Sequence, residues 1–201
     1  MRCVIFCAGG FGGLTEPLRE GDFVIAADGG VKHVESLGIR PDIVLGDFDS
    51  LGYAPEGAEV YPVEKDDTDA MLAARRGLEK GCREFLFYGS LDGPRLDHTV
   101  ANLQMLRFLA DHGATGKLAG LRQQVTLLRK GKLTLPPRET GDISIFAFGG
   151  EAKGVTIKGL KYELEDGTLT PSFPLGVSNS FVGKSVEISV DHGDVLIIYD
   201  N

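Results

Sequence analysis

The stretch IVLGDFDSLG, residues 43–52, governs how the rest of the chain is read. Ile43, Val44 and Leu45 are apolar and partly β-branched, the composition of a strand covered on both faces. That strand runs into Gly46-Asp47-Phe48-Asp49-Ser50, so two carboxylates stand where a buried strand ends. Side chains of an extended segment alternate with period two. Asp47 and Asp49 are therefore expected on one side of the segment, with Phe48 turned into the core.

On either side of this stretch, the first 120 or so residues alternate short apolar runs with helical patterns. Strands are expected at CVIFCA (3–8), FVIAA (23–27), DIVLG (42–46), EVYPV (59–63) and EFLFYGS (84–90). TDAMLAARRGLEKG (68–81) reads as a helix, with Thr68 as its cap, an acidic first turn and Gly81 past its end. HTVANLQMLRFLADHG (98–113) repeats Val100, Leu103, Leu106 and Ala110 near the helical period. Strand–helix alternation argues for a largely parallel sheet covered by helices. Past residue 122 only β-type runs remain, at 124–137, 142–150, 154–170 and 184–200, punctuated internally by Gly131-Lys132, Asp166-Gly167 and His192-Gly193, read as turns. The expected architecture is an α/β domain over residues 1–122 followed by a smaller all-β sandwich or barrel over 123–201.

Composition removes several classes of function. The chain of 201 residues is 42% hydrophobic and 25% charged, ordinary for a globular protein. Its net charge of −8, without a cluster of Lys and Arg, argues against a nucleic-acid surface. No apolar run approaches the roughly 20 residues of a membrane span. The opening MRCVIFCAGGFGG reads as a first core strand rather than a secretory leader, so a cytoplasmic location is expected. Cys3, Cys7 and Cys82 are odd in number and lack C-x-x-C spacing, which favours buried thiols over a disulfide framework or a zinc site.

In parallel α/β sheets, ligands bind outside the carboxyl ends of the strands. Four successive strands here lead into acidic segments: Asp28-Gly29-Gly30, Asp47-Phe48-Asp49, Glu64 to Asp69, and Gly89 to His98 with Asp92 and Asp97. Each alone has an ordinary reading as turn chemistry or as a first-turn helix charge. Together they repel one another unless a cation neutralises them, and hard oxygen donors suit Mg²⁺. Asp47 and Asp49, with Asp69 from the neighbouring element, are the candidate metal ligands. Helix starts near 68 and 98, the fork of Arg95 and the point charge of Lys65 are suited to a phosphate. AGGFGG after the first strand lacks the spacing of a dinucleotide fingerprint or P-loop and is a weak signal alone.

The series D-G-G, G-D-F-D-S, K-D-D-T-D and G-S-x-x-G-x-R-x-D-H, with S-N-S in the β-rich half, resembles the thiamine pyrophosphokinase family over nearly the whole chain. The resemblance implies transfer of a pyrophosphoryl group from ATP to the hydroxyl of thiamine, releasing AMP. It implies Mg²⁺ on Asp47, Asp49 and Asp69, and ATP as co-substrate among Lys65, Thr68, Gly89, Ser90, Arg95 and Asp97. Arg95 would stabilise charge building on the polyphosphate, and Asp69 or Asp97 would serve as base. Ser178 and Asn179 would hold the thiamine pyrimidine, with Asp28 toward its cationic charge. It further implies a homodimer with the thiamine site at the subunit interface.

Two departures from the family pattern stand out. Gly93-Pro94-Arg95 replaces a second glycine before the arginine, which fixes φ and removes an N–H donor. The chain also has no Trp, leaving Phe181 or Phe173 as the aromatic to stack on thiamine. Two rival readings share the acidic rim. One is a Mg²⁺-dependent nucleotide phosphohydrolase or a pyrophosphokinase for another alcohol, needing neither Ser178 nor Asn179. The other is a nucleotide- or thiamine-binding sensor without turnover.

Overall fold

The computed structural model describes residues 1–49 and 51–201, so Ser50 of the G-D-F-D-S motif lies outside the described residues. Its contacts divide the chain into two compact units, Met1–Leu121 and Arg122–Asn201.

The first unit is a parallel sheet. Its strands are β1 (Arg2–Phe6), β2 (Phe23–Ala27), β3 (Ile43–Gly46), β4 (Glu59–Val60), β5 (Glu84–Tyr88) and β6 (Thr115–Ala119). Their order is β6-β5-β1-β2-β3-β4, with every neighbouring pair parallel. Beyond Val60 the expected strand at EVYPV stops, because Pro62 has no N–H to give to a ladder. Among the described residues, three α-helices connect the strands: α1 (Val31–Ser36), α2 (Asp69–Glu79) and α3 (Leu96–Asp111). In α2, Gly77 lies so close to Phe85 and the Cys3 sulfur that a side chain would collide with them. Likewise Gly116 of β6 makes room for Leu106 and Leu109 of α3. On the sheet, Val4, Phe6, Val24, Ala26, Leu86 and Tyr88 cluster with Val31, Val34 and Phe48. The three cysteines are free and buried.

The second unit is antiparallel: β7 (Gln123–Leu135), β8 (Asp142–Ala147), β9 (Ala152–Lys158), β10 (Leu164–Leu169), β11 (Gly176–Ser180) and β12 (Val186–Asp200). β12 pairs with β7 from end to end, with β9 along its first half and with β8 along its second. Ile143, Ile145, Val155, Ile188, Val195 and Ile197 form its core with Phe181 and Tyr199. The Gly-Lys, Asp-Gly and His-Gly pairs expected as turns are irregularities inside strands. Lys130 and Gly131 have φ +37° and +129° within β7, Asp166 has φ +48° within β10, and β12 shifts register between Val190 and Asp194. The left-handed residues that close hairpins also make bulges, which bend a strand without ending it.

Candidate active site

The chain runs from β1 through β2 and β3 to β4 on one side, then returns with β5 on the other side of β1. That reversal of strand order leaves a crevice at the carboxyl ends, where ligands settle in such sheets. A cleft of about 680 Å³ lies there. Cys7, Ala8 and Gly9 follow β1 into its wall, and Gly89 and Ser90 follow β5. The Gly9 N–H donates to the Gly89 carbonyl at 2.9 Å. Gly89 has φ +66°, and any side chain there would strike the Cys7 carbonyl, so glycine is required. Burial pushes the Cys7 thiol up to about 12, which removes it as a nucleophile at neutral pH.

The acidic wall is built by tight backbone geometry. Asp28, with φ +46°, opens a short 3-10 turn (Asp28–Gly30) after β2. Gly46 ends β3 at φ +151°, and a Cβ there would lie 3.0 Å from the Asp28 backbone. Only glycine lets these two segments approach so closely. The extended geometry expected for residues 47–49 is not found, because Phe48 takes φ +58° and turns the chain. Phe48 is nonetheless buried in the core, as expected. The Asp49 N–H donates to Asp47 Oδ1 at 3.3 Å. Carboxylate oxygens of Asp28, Asp47 and Asp49 lie within 4.8 Å of one another. Asp28, expected beside the substrate cation, thus joins the pair. Asp69, expected as the third ligand, lines the same cleft and pairs with Lys65, as Asp47 does.

Lys65 donates from Nζ to Asp47 Oδ2 at 2.6 Å and pairs with Asp69 Oδ1 at 3.2 Å. Its side chain and that of Asp47 are 13% and 11% exposed, so this ion pair is partly shielded from solvent. The Lys65 hydrogen bond is the main reason Asp47 stays below the usual carboxylate range, against some opposing desolvation. Asp69 moves the other way: burial raises it, and Lys65 offsets that only in part.

Around these charges lie groups suited to an anion. Thr68 caps α2, its Oγ1 accepting from the Met71 N–H at 3.2 Å, and Thr68, Asp69 and Ala70 line the cleft. Ser90 is 5% exposed, and its Oγ has no hydrogen-bond partner among the described residues. A buried hydroxyl left in that state is destabilising unless a ligand engages it. Asn102, which sequence reasoning missed, is buried in the wall and donates from Nδ2 to the Ser90 carbonyl at 2.7 Å. It lies within the apolar period of α3, where a single amide carries no pattern of its own. Arg95 and His98 also line the cleft. Arg95 precedes α3 and pairs with Asp97 at 2.6 Å, both well exposed. Asp97 is not among the lining residues.

In the second unit, Ser178 is exposed on β11 at φ +56°, and its N–H donates to Ser144 Oγ at 3.0 Å. Asn179 is 4% exposed. Phe181, one of the two aromatics expected to stack on thiamine, is 3% exposed and packed in the β core beneath the Arg138 guanidinium. It has no free face for a ligand, whereas Phe173 is exposed.

A parallel α/β sheet with converging carboxylates, helix starts and an unsatisfied buried hydroxyl at one rim, joined to an all-β unit, is the arrangement of a protein suited to binding phosphate-bearing ligands. Sequence profiles of the thiamin pyrophosphokinase catalytic domain and vitamin B1 binding domain match residues 14–115 and 132–195. The chain belongs to the thiamin pyrophosphokinase family. The thiamine pyrophosphokinase of Bacillus subtilis strain 168 is 27% identical over 211 residues, covering 98% of each chain. A crystal structure of the Bacillus subtilis thiamine pyrophosphokinase superposes with a TM-score of 0.88 at 27% identity, covering 100% of this chain and 99% of that one. The fold also matches a thiamin pyrophosphokinase crystal structure from Geobacillus thermodenitrificans, with a TM-score of 0.82 at 24% identity over 100% and 98% of the chains.

Proposed function

We propose that the rim cleft of the α/β unit is where this enzyme transfers a pyrophosphoryl group from ATP to the hydroxyl of thiamine, giving thiamine diphosphate and AMP. The observation that carries this reading is the meeting of Asp28, Asp47 and Asp49 in a cleft that also contains Lys65, Ser90 and the start of α2. The donor set fits Mg²⁺. The three carboxylates are hard oxygen donors whose oxygens lie within 4.8 Å of one another, the ligand type this ion prefers. Asp28, Asp47 and Asp49 would hold the ion, which supplies charge neutralisation to the polyphosphate when bound.

The chain's own residues do the rest. Backbone N–H groups at the start of α2, the Ser90 hydroxyl and the Gly89 turn receive phosphate oxygens, and Arg95 at the mouth adds an exposed guanidinium. Asp69, whose proton affinity is raised by burial, would take the proton of the attacking hydroxyl. Thiamine is received by the second unit at Ser178, in a homodimer whose interface carries the thiamine site. Exposed Tyr162, Leu175 and Val177 beside Asn179 give that unit an apolar surface suited to such an interface. The protein acts in the cytoplasm, consistent with the lack of any helix long and apolar enough to cross a membrane among the described residues.

The test is divalent-ion binding followed with Mn²⁺ in the presence of a non-hydrolysable ATP analogue. Asp47→Asn and Asp28→Asn are each expected to weaken Mn²⁺ at least tenfold, with turnover falling by about 10² or more. Unchanged Mn²⁺ affinity in both variants would remove the metal from this wall.

A further inference from the structure

Asn179 is the residue of the S-N-S segment whose side chain is already committed. Its Oδ1 accepts from the Tyr162 N–H at 2.9 Å and from the Ser180 N–H at 2.9 Å, while Nδ2 donates to the Tyr162 carbonyl at 2.6 Å. The amide therefore pairs with both backbone groups of Tyr162 as a neighbouring strand would. Both lone pairs of the oxygen and one of its two N–H donors are used within the protein. With 4% of the residue exposed, little of it is available to a ligand.

Ser178, immediately before it, is the opposite case. Pairing of β11 with β8 is broken between Gly176 and Asn179, and this irregularity lets Val177 and Ser178 both face outward in succession. Ser178 takes φ +56°, a conformation that a non-glycine residue keeps only when its surroundings impose it. Two contacts impose it: the Ser178 N–H held by Ser144 Oγ on β8, and the next residue locked to Tyr162. Neither Ser144 nor Asn179 needs to touch a substrate for this to matter.

We propose that Ser144 and Asn179 are positioning residues that act through Ser178, fixing the bulge that aims its hydroxyl at the acceptor alcohol substrate, and that Asn179 is not itself a substrate contact. This rests on the reading of Ser178 as the thiamine-binding residue. Because a bulge is defined by two strands, removing either support lets Ser178 relax toward ordinary extended geometry. The effect is expected on thiamine and not on ATP, since neither Ser144 nor Asn179 lines the cleft of the first unit.

The experiment is a double-mutant cycle on the full-length enzyme, reading KM for thiamine, KM for ATP and kcat. Ser144→Ala and Asn179→Asp are each made in the wild-type and Ser178→Ala backgrounds. Asn179→Asp keeps both acceptor bonds and loses the donor to Tyr162. Each is expected to raise the thiamine KM several-fold, up to about tenfold, with the ATP KM unchanged. In the Ser178→Ala background each is expected to add nothing. Should Asn179→Asp not fold, the Ser144→Ala arm decides alone. An equal rise in both backgrounds, a parallel rise in the ATP KM, or no rise at all overturns the proposal while leaving Ser178 at thiamine. Ser178→Ala with an unchanged thiamine KM overturns the proposal and the placing of Ser178 together.

Discussion

At the scale of single residues, the electrostatics of the cleft turn on Lys65. Its ammonium sits 2.6 Å from Asp47 and 3.2 Å from Asp69 in a wall that also carries Asp28 and Asp49. Removing one partner of a shielded pair leaves the other charge uncompensated, which costs more than the pair's net worth. Lys65→Met is therefore expected to lower stability by about 1–2 kcal/mol in urea denaturation without divalent ions, between the values for exposed and fully buried pairs. Adding Mn²⁺ should restore part of that loss by binding the folded state. A denaturation midpoint equal to that of the parent would show that Lys65 does not balance the carboxylates. The residue types of this wall were legible, since Asp at the ends of successive strands is a pattern in the sequence. Their grouping was not. Asp28 joins Asp47 and Asp49 because Gly46 and Phe48 take positive φ, and spacing alone carries no record of torsion angles. The K-D-D-T-D segment likewise shows Lys65 and Asp69 four apart without saying that they face each other.

Secondary-structure elements show the same division. α2 was readable because Thr68 and Gly81 punctuate it, and β1, β2, β3 and β5 because their apolar runs are short and bounded. α1 escaped notice because VKHVES is too short to show a helical period, and β11 because GVSNS is polar enough to pass for a turn. One strand is tied down by a buried network with a pH signature. Arg2 of β1, 5% exposed, donates from Nε to Asp22 at 2.9 Å and from a terminal nitrogen to Glu16 at 2.6 Å. Burial by itself would raise Asp22, but the Arg2 hydrogen bond, together with the Arg19 N–H, brings it below the usual carboxylate range. A carboxylate depressed in the folded state adds stability that is fully present above its unfolded value of about 3.9. That stability is lost as pH falls through the lower folded value. Glu16 shifts in the same direction: its burial is outweighed by Lys117, Arg2 and Arg19. Stability measured from pH 7 down to about 2 should decline steeply at the acid end, and Asp22→Asn should flatten that decline while lowering the plateau. An unaltered acid limb in Asp22→Asn would mean the network contributes nothing to the docking of β1.

Across the whole molecule, the change from strand–helix alternation to strands alone is written in hydrophobic periodicity, and so the α/β-plus-β class was legible from sequence. The course of the second unit was less so, because β7 and β12 run 13 and 15 residues straight through Gly131 and Gly193. A bulge and a hairpin turn use the same residues, and which one forms depends on the pairing partner. Net charge bears on function at this scale as well. A chain at −8 with an acidic rim repels a bare nucleotide, so the polyphosphate must come with its charge neutralised. Whether this rim serves pyrophosphoryl transfer to thiamine is decided by the products it forms. Purified protein is mixed with ATP, Mg²⁺ and thiamine, and the nucleotides are resolved over time. The predicted result is AMP rising mole for mole with thiamine diphosphate, only when thiamine and Mg²⁺ are both present. Release of ADP, or of phosphate without thiamine, would contradict it.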